Sequence, residues 1–196
     1  MNIVETNFAF NERLSARTNT KYIILHHRAG NGNVVSIHNQ HVQQGYAGIG
    51  YHFYVRKDGS VYRGRPIDTI GAHCLNNNSN SIGVCFEGNF ERENISDVQL
   101  KAGIELVRYL KDKYANVKVV GHKDLYNTIC PGKNFPLDEI IEGANMKELT
   151  SVNDIVWELE IRGIITDKEL WLNKLEVDEN SYWLARKCIN YIINQK

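Results

Sequence analysis

A histidine and a cysteine that could share one metal ion follow a short β-branched run. Residues 117–120 predict a buried strand that leads into a loop, and His122 and Cys130 lie in that loop with seven residues between them. The loop closes on Pro131-Gly132, a pair that favours a tight turn. Imidazole nitrogen and thiolate sulfur are both ligands of zinc. The pair alone is weak evidence, because a lone histidine or cysteine is more often structural, so a metal site needs a further ligand.

A third ligand is available at the end of an earlier apolar run. Residues 21–25 have the pattern of a buried strand, and His26 and His27 follow directly. Adjacent residues of a strand point to opposite faces, so only one of the two is expected to bind the ion. Two histidines and one cysteine would leave the fourth tetrahedral position of zinc to water, as a catalytic site requires.

The chain resembles the zinc-dependent N-acetylmuramoyl-L-alanine amidases of the amidase-2 type, which include phage amidase lysozymes and animal peptidoglycan recognition proteins. Five segments carry the resemblance, in the order and at the spacing of the family, over roughly 120 of the 196 residues: ILHH (24–27), GYHF (50–53), GAH (71–73), NSIGV (80–84) and GHKDLYNTICP (121–131). Five ordered motifs are a far more specific signal than any one of them.

The resemblance implies a role for several residues. It places one zinc ion on His26, His122 and Cys130, and it makes Tyr51 the catalytic tyrosine that manages a proton or stabilises the oxyanion. Zinc lowers the pKa of its bound water to about 7 and polarises a carbonyl, so the expected reaction is hydrolysis of an amide.

Two positions depart from some relatives. Thr128 stands where similar phage lysozymes have a lysine, and a hydroxyl can donate a hydrogen bond but supplies no positive charge, so Thr128 is expected to orient rather than to neutralise. Cys85 stands where other amidase-2 enzymes have a catalytic glutamate, so no glutamate role is carried over.

The remaining motif residues are expected to differ in their roles. His73 and Asn80 are predicted to contact substrate, because the corresponding loop lines the cleft in the family. His52 alternates with Tyr51 along a predicted strand and is expected to face away, as a hydrogen-bonded structural histidine. Arg63 and Arg65 are either ligands of a peptide carboxylate or ordinary surface residues.

The periodicity of the first 144 residues predicts an α/β fold, with a central mixed β-sheet flanked by helices and the metal at the end of the sheet. A helix capped by Ser36 is expected over residues 36–44, with His38 and His41 on its solvated side. A second helix, opened by a capping box of Ser96 and Gln99, is expected over residues 96–114. Strands are predicted at residues 51–55, 61–63 and 81–86, with a hairpin turn at 57–60.

Composition excludes several partners. A formal net charge of zero argues against nucleic-acid binding through bulk charge. No apolar run approaches the roughly eighteen residues that span a bilayer, so membrane insertion is not expected. The first residues lack the basic and apolar regions of a signal peptide, so an enzyme that acts on the cell wall would have to leave the cytoplasm by lysis or a holin-type route. The four cysteines are therefore expected to be reduced.

Two modules are predicted, residues 1–144 and residues 145–196. All seven histidines precede residue 140, whereas the three tryptophans follow it. The second module reads as a small all-helical unit, with Gly163 ending its first helix. Such a short unit struggles to bury its own aromatic residues, so it is expected either to bind the cell wall or to join two chains into a homodimer.

The sequence therefore predicts a zinc amidase that cuts bacterial peptidoglycan between N-acetylmuramic acid and L-alanine, as a phage endolysin does. The alternative is a recognition module that binds peptidoglycan without cutting it; such relatives typically lack a zinc ligand, and all three are present here. A third alternative gives the C-terminal unit an intracellular partner.

Overall fold

The chain divides into two compact units, Met1–Asn145 and Met146–Lys196, in a computed structural model. The structure describes residues 2–145 of the first unit and residues 156, 159, 163–167, 171 and 172 of the second. Each unit is taken by itself below.

A six-stranded mixed sheet forms the centre of the first unit, as the sequence predicts. The order across the sheet is β1-β4-β3-β5-β2-β6, and the β3–β4 hairpin is its antiparallel pair while the other neighbours are parallel. The strands are β1 (Ile3–Val4), β2 (Tyr22–His27), β3 (Phe53–Val55), β4 (Val61–Arg63), β5 (Ser81–Phe86) and β6 (Lys118–Gly121). The three helices are α1 (Val34–Gln43), α2 (Asp97–Lys113) and α3 (Leu137–Asn145).

Side chains alternate along the central strands, so the two faces of the sheet pack against different parts of the first unit. Ile23 and Leu25 of β2 point into the main hydrophobic core, which α2 and α3 cover. Cys85 of β5 points to the other face and packs in a smaller cluster with residues of α1. Since His26 is one residue after Leu25 on β2, it belongs to this second face.

The predicted capping box of α2 is only half formed. The Ser96 hydroxyl accepts a hydrogen bond from the Gln99 backbone N–H at 3.3 Å, as expected. The Gln99 side chain does not return to Ser96, because it is fully buried and donates instead to the carbonyls of Val55 and Glu87. Gln99 thus fastens α2 to the sheet.

Helix α1 begins two residues before the predicted start. Asn33 caps it, and the Asn33 side-chain oxygen accepts the backbone N–H of Ser36 at 2.8 Å. Ser36 therefore lies inside the helix rather than at its cap. The sequence gives no clear signal for Asn33 as the cap, because a Gly/Asn-rich run is typical of a loop.

The predicted solvation of the α1 histidines is wrong. His38 is buried, stacks on Phe8 at a centroid distance of 4.3 Å and accepts the backbone N–H of Ile49. His41 is half-buried and accepts the backbone N–H of Gly50 at 3.0 Å. The N-terminal arm, residues 2–19, covers His38 through Phe8 and Phe10, a contact that helical periodicity cannot predict.

Of the second unit, the described residues include the end of its first helix. Gly163 has a φ of +65°, and the N–H of Ile164 donates to the carbonyl of Leu159 at 2.9 Å. This is the glycine-terminated helix end that the sequence predicts. Beyond it, Trp171 and Leu172 are helical as predicted, and the N–H of Trp171 donates to the carbonyl of Asp167 at 3.3 Å. The rest of the predicted helices, together with Trp157, Trp183 and Cys188, lies outside the described residues. Within the part of the chain that the structure describes, no helix is long and apolar enough to cross a membrane.

Candidate metal centre

The parallel register of β2 and β6 places two histidines side by side. Leu25 pairs with Gly121, and each is followed in the chain by a histidine: His26, the next residue of β2, and His122, the residue directly after β6. Their ring centroids are 4.4 Å apart. The two imidazoles therefore meet at the carboxyl edge of the sheet, where open α/β folds bind their ligands.

Cys130 completes a group of three. Its Sγ lies 3.8 Å from Nδ1 of His26, and the three ligand atoms of His26, His122 and Cys130 all lie within 4.8 Å of one another. Ligands at zinc bond lengths in a tetrahedral site are separated by about 3.3–3.8 Å, so a small closure would bring all three onto one ion.

The loop that carries His122 and Cys130 is tied to itself and to the sheet. The carboxylate of Asp124 accepts the N–H of Gly121 at 2.7 Å, which closes a short turn directly after β6. The carbonyl of Cys130 accepts the N–H of Lys123 at 2.8 Å. These bonds hold the cysteine against the strand end that carries the histidine.

The turn after Cys130 requires a glycine. Gly132 has a φ of +107°, and a Cβ there would lie 2.5 Å from the backbone of Phe90.

Thr128 is half-buried, and its hydroxyl oxygen accepts the N–H of Cys130 at 3.2 Å. The hydroxyl proton of Thr128 is left for another acceptor, so the orienting role stays a prediction.

The protonation states of His26, His122 and Cys130 determine whether they can bind a cation. Burial, the proximity of His122 and that of His27 hold the pKa of His26 well below its ordinary value, and burial also lowers the pKa of His122. Burial raises the pKa of the Cys130 thiol to about 11, although the backbone N–H of His27 donates to its sulfur. Nε2 of His122 is buried without a hydrogen-bond partner in the described structure. A divalent ion would satisfy this nitrogen and stabilise the thiolate, so the donor set fits zinc.

Tyr51 lies against the same group. Its ring centroid is 5.1 Å from that of His26 and 5.6 Å from that of His41. Burial, with the Cys85 and Cys130 thiols nearby, raises the pKa of the Tyr51 hydroxyl well above its ordinary value. The phenol therefore remains a hydrogen-bond donor at neutral pH.

His73 and Asn80, the predicted substrate contacts, occupy different places. His73 is buried, and its Nδ1 lies 3.1 Å from Nε2 of His26. Asn80 directly precedes β5, and its side-chain oxygen is buried without a hydrogen-bond partner in the described structure. Contact of either residue with substrate stays a prediction.

His52 is a structural histidine, although it does not face away as predicted. Its Nδ1 accepts the N–H of Gly83 at 3.0 Å, its Nε2 donates to the carbonyl of Thr69 at 2.9 Å, and its ring lies 5.7 Å from that of His73. The alternation argument failed because β3 begins only at Phe53.

Acid should destabilise the protein partly through His52. Burial lowers the pKa of His52 to about 3, whereas an unfolded histidine takes up a proton below about 6.5. The unfolded state thus binds more protons, and the contribution of His52 to stability falls by about 2 kcal/mol between pH 6.5 and pH 5. His52→Asn keeps an acceptor for Gly83 but cannot titrate, so its unfolding free energy, measured in urea, should fall less steeply with acid. Equal slopes for the two proteins would contradict this role.

The two arginines after the hairpin serve the fold. Arg65 is buried and donates to the carbonyls of Ile49 and Ile70. The guanidinium of Arg63 lies 4.3 Å from the centroid of the Phe53 ring and pairs with Glu5 in the N-terminal arm. Neither is an ordinary surface arginine, which was one of the two alternatives that the sequence left open.

Sequence reasoning missed two neighbours of the centre. His41 lies beside Tyr51, and Tyr126 stacks on His122 at a centroid distance of 5.6 Å and an angle of 16°. The signal for Tyr126 was available, because a tyrosine four residues after a ligand within one short loop can fold back on it. Tyr126 is 43% exposed, so this neighbour of His122 is accessible to solvent.

Comparison with known proteins agrees with this geometry. The profile of the Amidase_2 family, N-acetylmuramoyl-L-alanine amidase, matches residues 16–133. The solved structure of N-acetylmuramoyl-L-alanine amidase LysC from Clostridium intestinale URNW is 42% identical and superposes with a TM-score of 0.72, over 75% of this chain and 99% of that one.

Two curated relatives represent both branches of the expected family. Peptidoglycan-recognition protein SC2 of Drosophila melanogaster is 34% identical over 142 residues, which are 64% of this chain and 75% of that protein. The endolysin of Klebsiella phage KP32 is 32% identical over 128 residues, 61% of this chain and 85% of that protein. The family profile covers more than half of the chain, and the fold agrees with that of the solved amidase. The chain belongs to the Amidase_2 family of N-acetylmuramoyl-L-alanine amidases.

Proposed function

We propose that this amidase works with one Zn²⁺ ion held by His26, His122 and Cys130. The observation that carries the proposal is the convergence of these three ligand atoms within 4.8 Å of one another. Two nitrogens and one sulfur form a donor set that zinc prefers, and three protein ligands are the number that a catalytic zinc uses.

The substrate is the amide bond between N-acetylmuramic acid and L-alanine in bacterial peptidoglycan. When bound, zinc supplies Lewis acidity for the amide carbonyl and lowers the pKa of a coordinated water. Tyr51 keeps its proton and donates a hydrogen bond to the oxygen that becomes negative as the amide is attacked. Thr128, which lies two residues before Cys130 and accepts its N–H, orients the same oxygen, and His73 and Asn80 are the candidate contacts to the rest of the substrate.

The biological role that fits this chemistry is lysis of a bacterial cell at the end of a phage infection. Relatives of this chain include proteins named endolysin from Klebsiella phage KP32 and from Escherichia phage T7. We infer that the protein is made in the bacterial cytoplasm and reaches the wall after release, by a holin-type route or by lysis.

Digestion of purified peptidoglycan tests the reaction directly. Mass spectrometry of the digest should show stem peptides with a free N-terminal L-alanine and glycan strands with unsubstituted muramic acid carboxyls. A chelator should stop their appearance, and added zinc should restore it. Binding to peptidoglycan without any such products would identify a recognition module instead.

The second unit, residues 146–196, is proposed to target the cell wall or to join two chains. The whole chain carries 23 basic and 23 acidic residues, so attraction to anionic wall polymers through bulk charge is not expected and aromatic contacts would have to supply the affinity. The full chain with His26→Ala, which cannot digest its target, should sediment with intact walls more completely than the same protein ended at Asn145. If both sediment equally and only the full chain elutes as a dimer, targeting is wrong and oligomerisation is the function.

A further inference from the structure

A chain of hydrogen bonds runs from the imidazole of His26 into the interior of the first unit. Nε2 of His26 lies 3.1 Å from Nδ1 of His73, and Nε2 of His73 lies 3.4 Å from the hydroxyl of Ser81. The Ser81 hydroxyl in turn lies 2.5 Å from the backbone carbonyl of Asn77. The chain starts at the nitrogen of His26 that faces away from Cys130.

The last group in this chain, the backbone carbonyl of Asn77, determines the direction of every hydrogen bond before it. The carbonyl of Asn77 can only accept, so the hydroxyl of Ser81 donates to it. The Ser81 oxygen then accepts the Nε2–H of His73, which leaves Nδ1 of a neutral His73 as an acceptor. His26 must therefore donate its Nε2–H to His73. Its Nδ1, 3.8 Å from Sγ of Cys130, keeps its lone pair for the centre.

The opposite direction is disfavoured on two grounds. If His73 donated from Nδ1, its Nε2 would have two possible states. It would either need a hydrogen bond from the Ser81 hydroxyl, whose proton is already donated to Asn77, or it would carry a proton itself, which makes His73 cationic. The second case places a positive charge 3.1 Å from His26, beside the position proposed for a divalent ion. Both cases would also leave the proton of His26 on Nδ1, where it would block a metal bond.

The protein holds the His73 ring in a space that two glycines leave open. A Cβ on Gly71 or on Gly83 would lie 2.5 Å from an atom of this ring. The side-chain oxygen of Asn78 accepts the backbone N–H groups of His73 and Cys74, at 2.7 and 2.9 Å. The ring is therefore fixed from the sheet and from its own loop.

We propose that His73 and Ser81 are positioning residues that hold His26 in the tautomer whose Nδ1 is free to bind the metal. The inference rests on the zinc site of the proposed function and adds to it the groups that prepare one ligand. Partners of this kind typically account for 10–100-fold in metal affinity. This role replaces the substrate contact considered for His73 above, because both of its ring nitrogens have partners within the protein and the residue is only 9% exposed.

Metal affinity separates this role from substrate contact. His73→Asn places a side-chain oxygen near the position of Nδ1 and keeps an acceptor for His26, whereas His73→Leu fills similar space without one. Competition with a chromophoric chelator should show zinc affinity weakened about 10–100-fold in His73→Leu and close to that of the unmodified protein in His73→Asn. The d–d absorption of the Co²⁺-loaded protein should change in the leucine variant alone. Unchanged zinc affinity in both variants, with a raised KM, would overturn the proposal in favour of substrate contact.

The tautomer can also be measured without any substitution. In the metal-free protein, ¹⁵N NMR of the ring should show the proton of His26 on Nε2 and a bare Nδ1, and Ser81→Ala should mix the two tautomers. A proton on Nδ1 of His26 in the unmodified protein overturns the proposal even if the variants fail to fold. The outcome is distinct from failure of the zinc site itself, which would appear as an unmodified protein that binds no zinc.

Discussion

Replacing His26, His122 or Cys130 with alanine is expected to abolish amide hydrolysis and to remove stoichiometric zinc. Each substitution deletes one of three ligands, and the two that remain cannot hold the ion at the geometry of a catalytic site. Because the metal supplies several kcal/mol of transition-state stabilisation, turnover should fall at least about a thousandfold, equivalent to about 4 kcal/mol. Release of stem peptides gives the rate, and metal analysis after dialysis gives the zinc content.

His27 provides a matched control one residue away. It points into the other face of the sheet, where its Nδ1 accepts the N–H of Phe90 at 3.2 Å and its ring lies near that of Phe90. His27→Asn keeps an acceptor for this N–H and should retain zinc and most of the turnover. A Cys130→Ala protein that kept stoichiometric zinc and full turnover would show that the ligand set is misassigned.

The difference between these two histidines could be predicted because it depends on local geometry. A regular strand alternates its side chains, and β2 is regular through His27. The same argument failed for Tyr51 and His52, since the strand it assumed begins only at Phe53. The proximity of His122 to His26 could not be predicted from alternation. It was predicted from the order of the motifs that resemble the family.

Other features depend on contacts between distant segments and could not be predicted. His38 is buried because Phe8 of the N-terminal arm covers it, and nothing in the pattern of α1 indicates that cover. The contact of His73 with His26 needs the space above Gly83, which exists only when β5 is paired with β2. The positions of buried polar residues between elements thus could not be predicted, whereas the apolar runs predicted strands β2 to β6. Strand β1, which pairs with β4 at the edge of the sheet, was not predicted because residues 1–19 read as an irregular polar segment.

Replacing Tyr51 with phenylalanine is expected to lower turnover about 10²–10³-fold while zinc content and substrate binding are retained. The substitution removes only the hydroxyl, which burial keeps protonated, and leaves the ring whose centroid lies 5.1 Å from that of His26. A donor aimed at a developing oxyanion matters more in the transition state than in the ground state, so the loss should appear in kcat rather than in KM.

Tyr54→Phe is the matched control for the loss of a buried tyrosine hydroxyl from the same segment. The Tyr54 hydroxyl donates to the carbonyl of Gly32 at 2.6 Å, so its removal should cost about 1 kcal/mol of stability and leave turnover largely intact. Steady-state kinetics on peptidoglycan fragments, with thermal unfolding of each variant, separates the two effects. A Tyr51→Phe protein with unchanged kcat and a raised KM would assign Tyr51 to substrate binding, because a hydroxyl that acts on the oxyanion cannot be lost without slowing the chemical step.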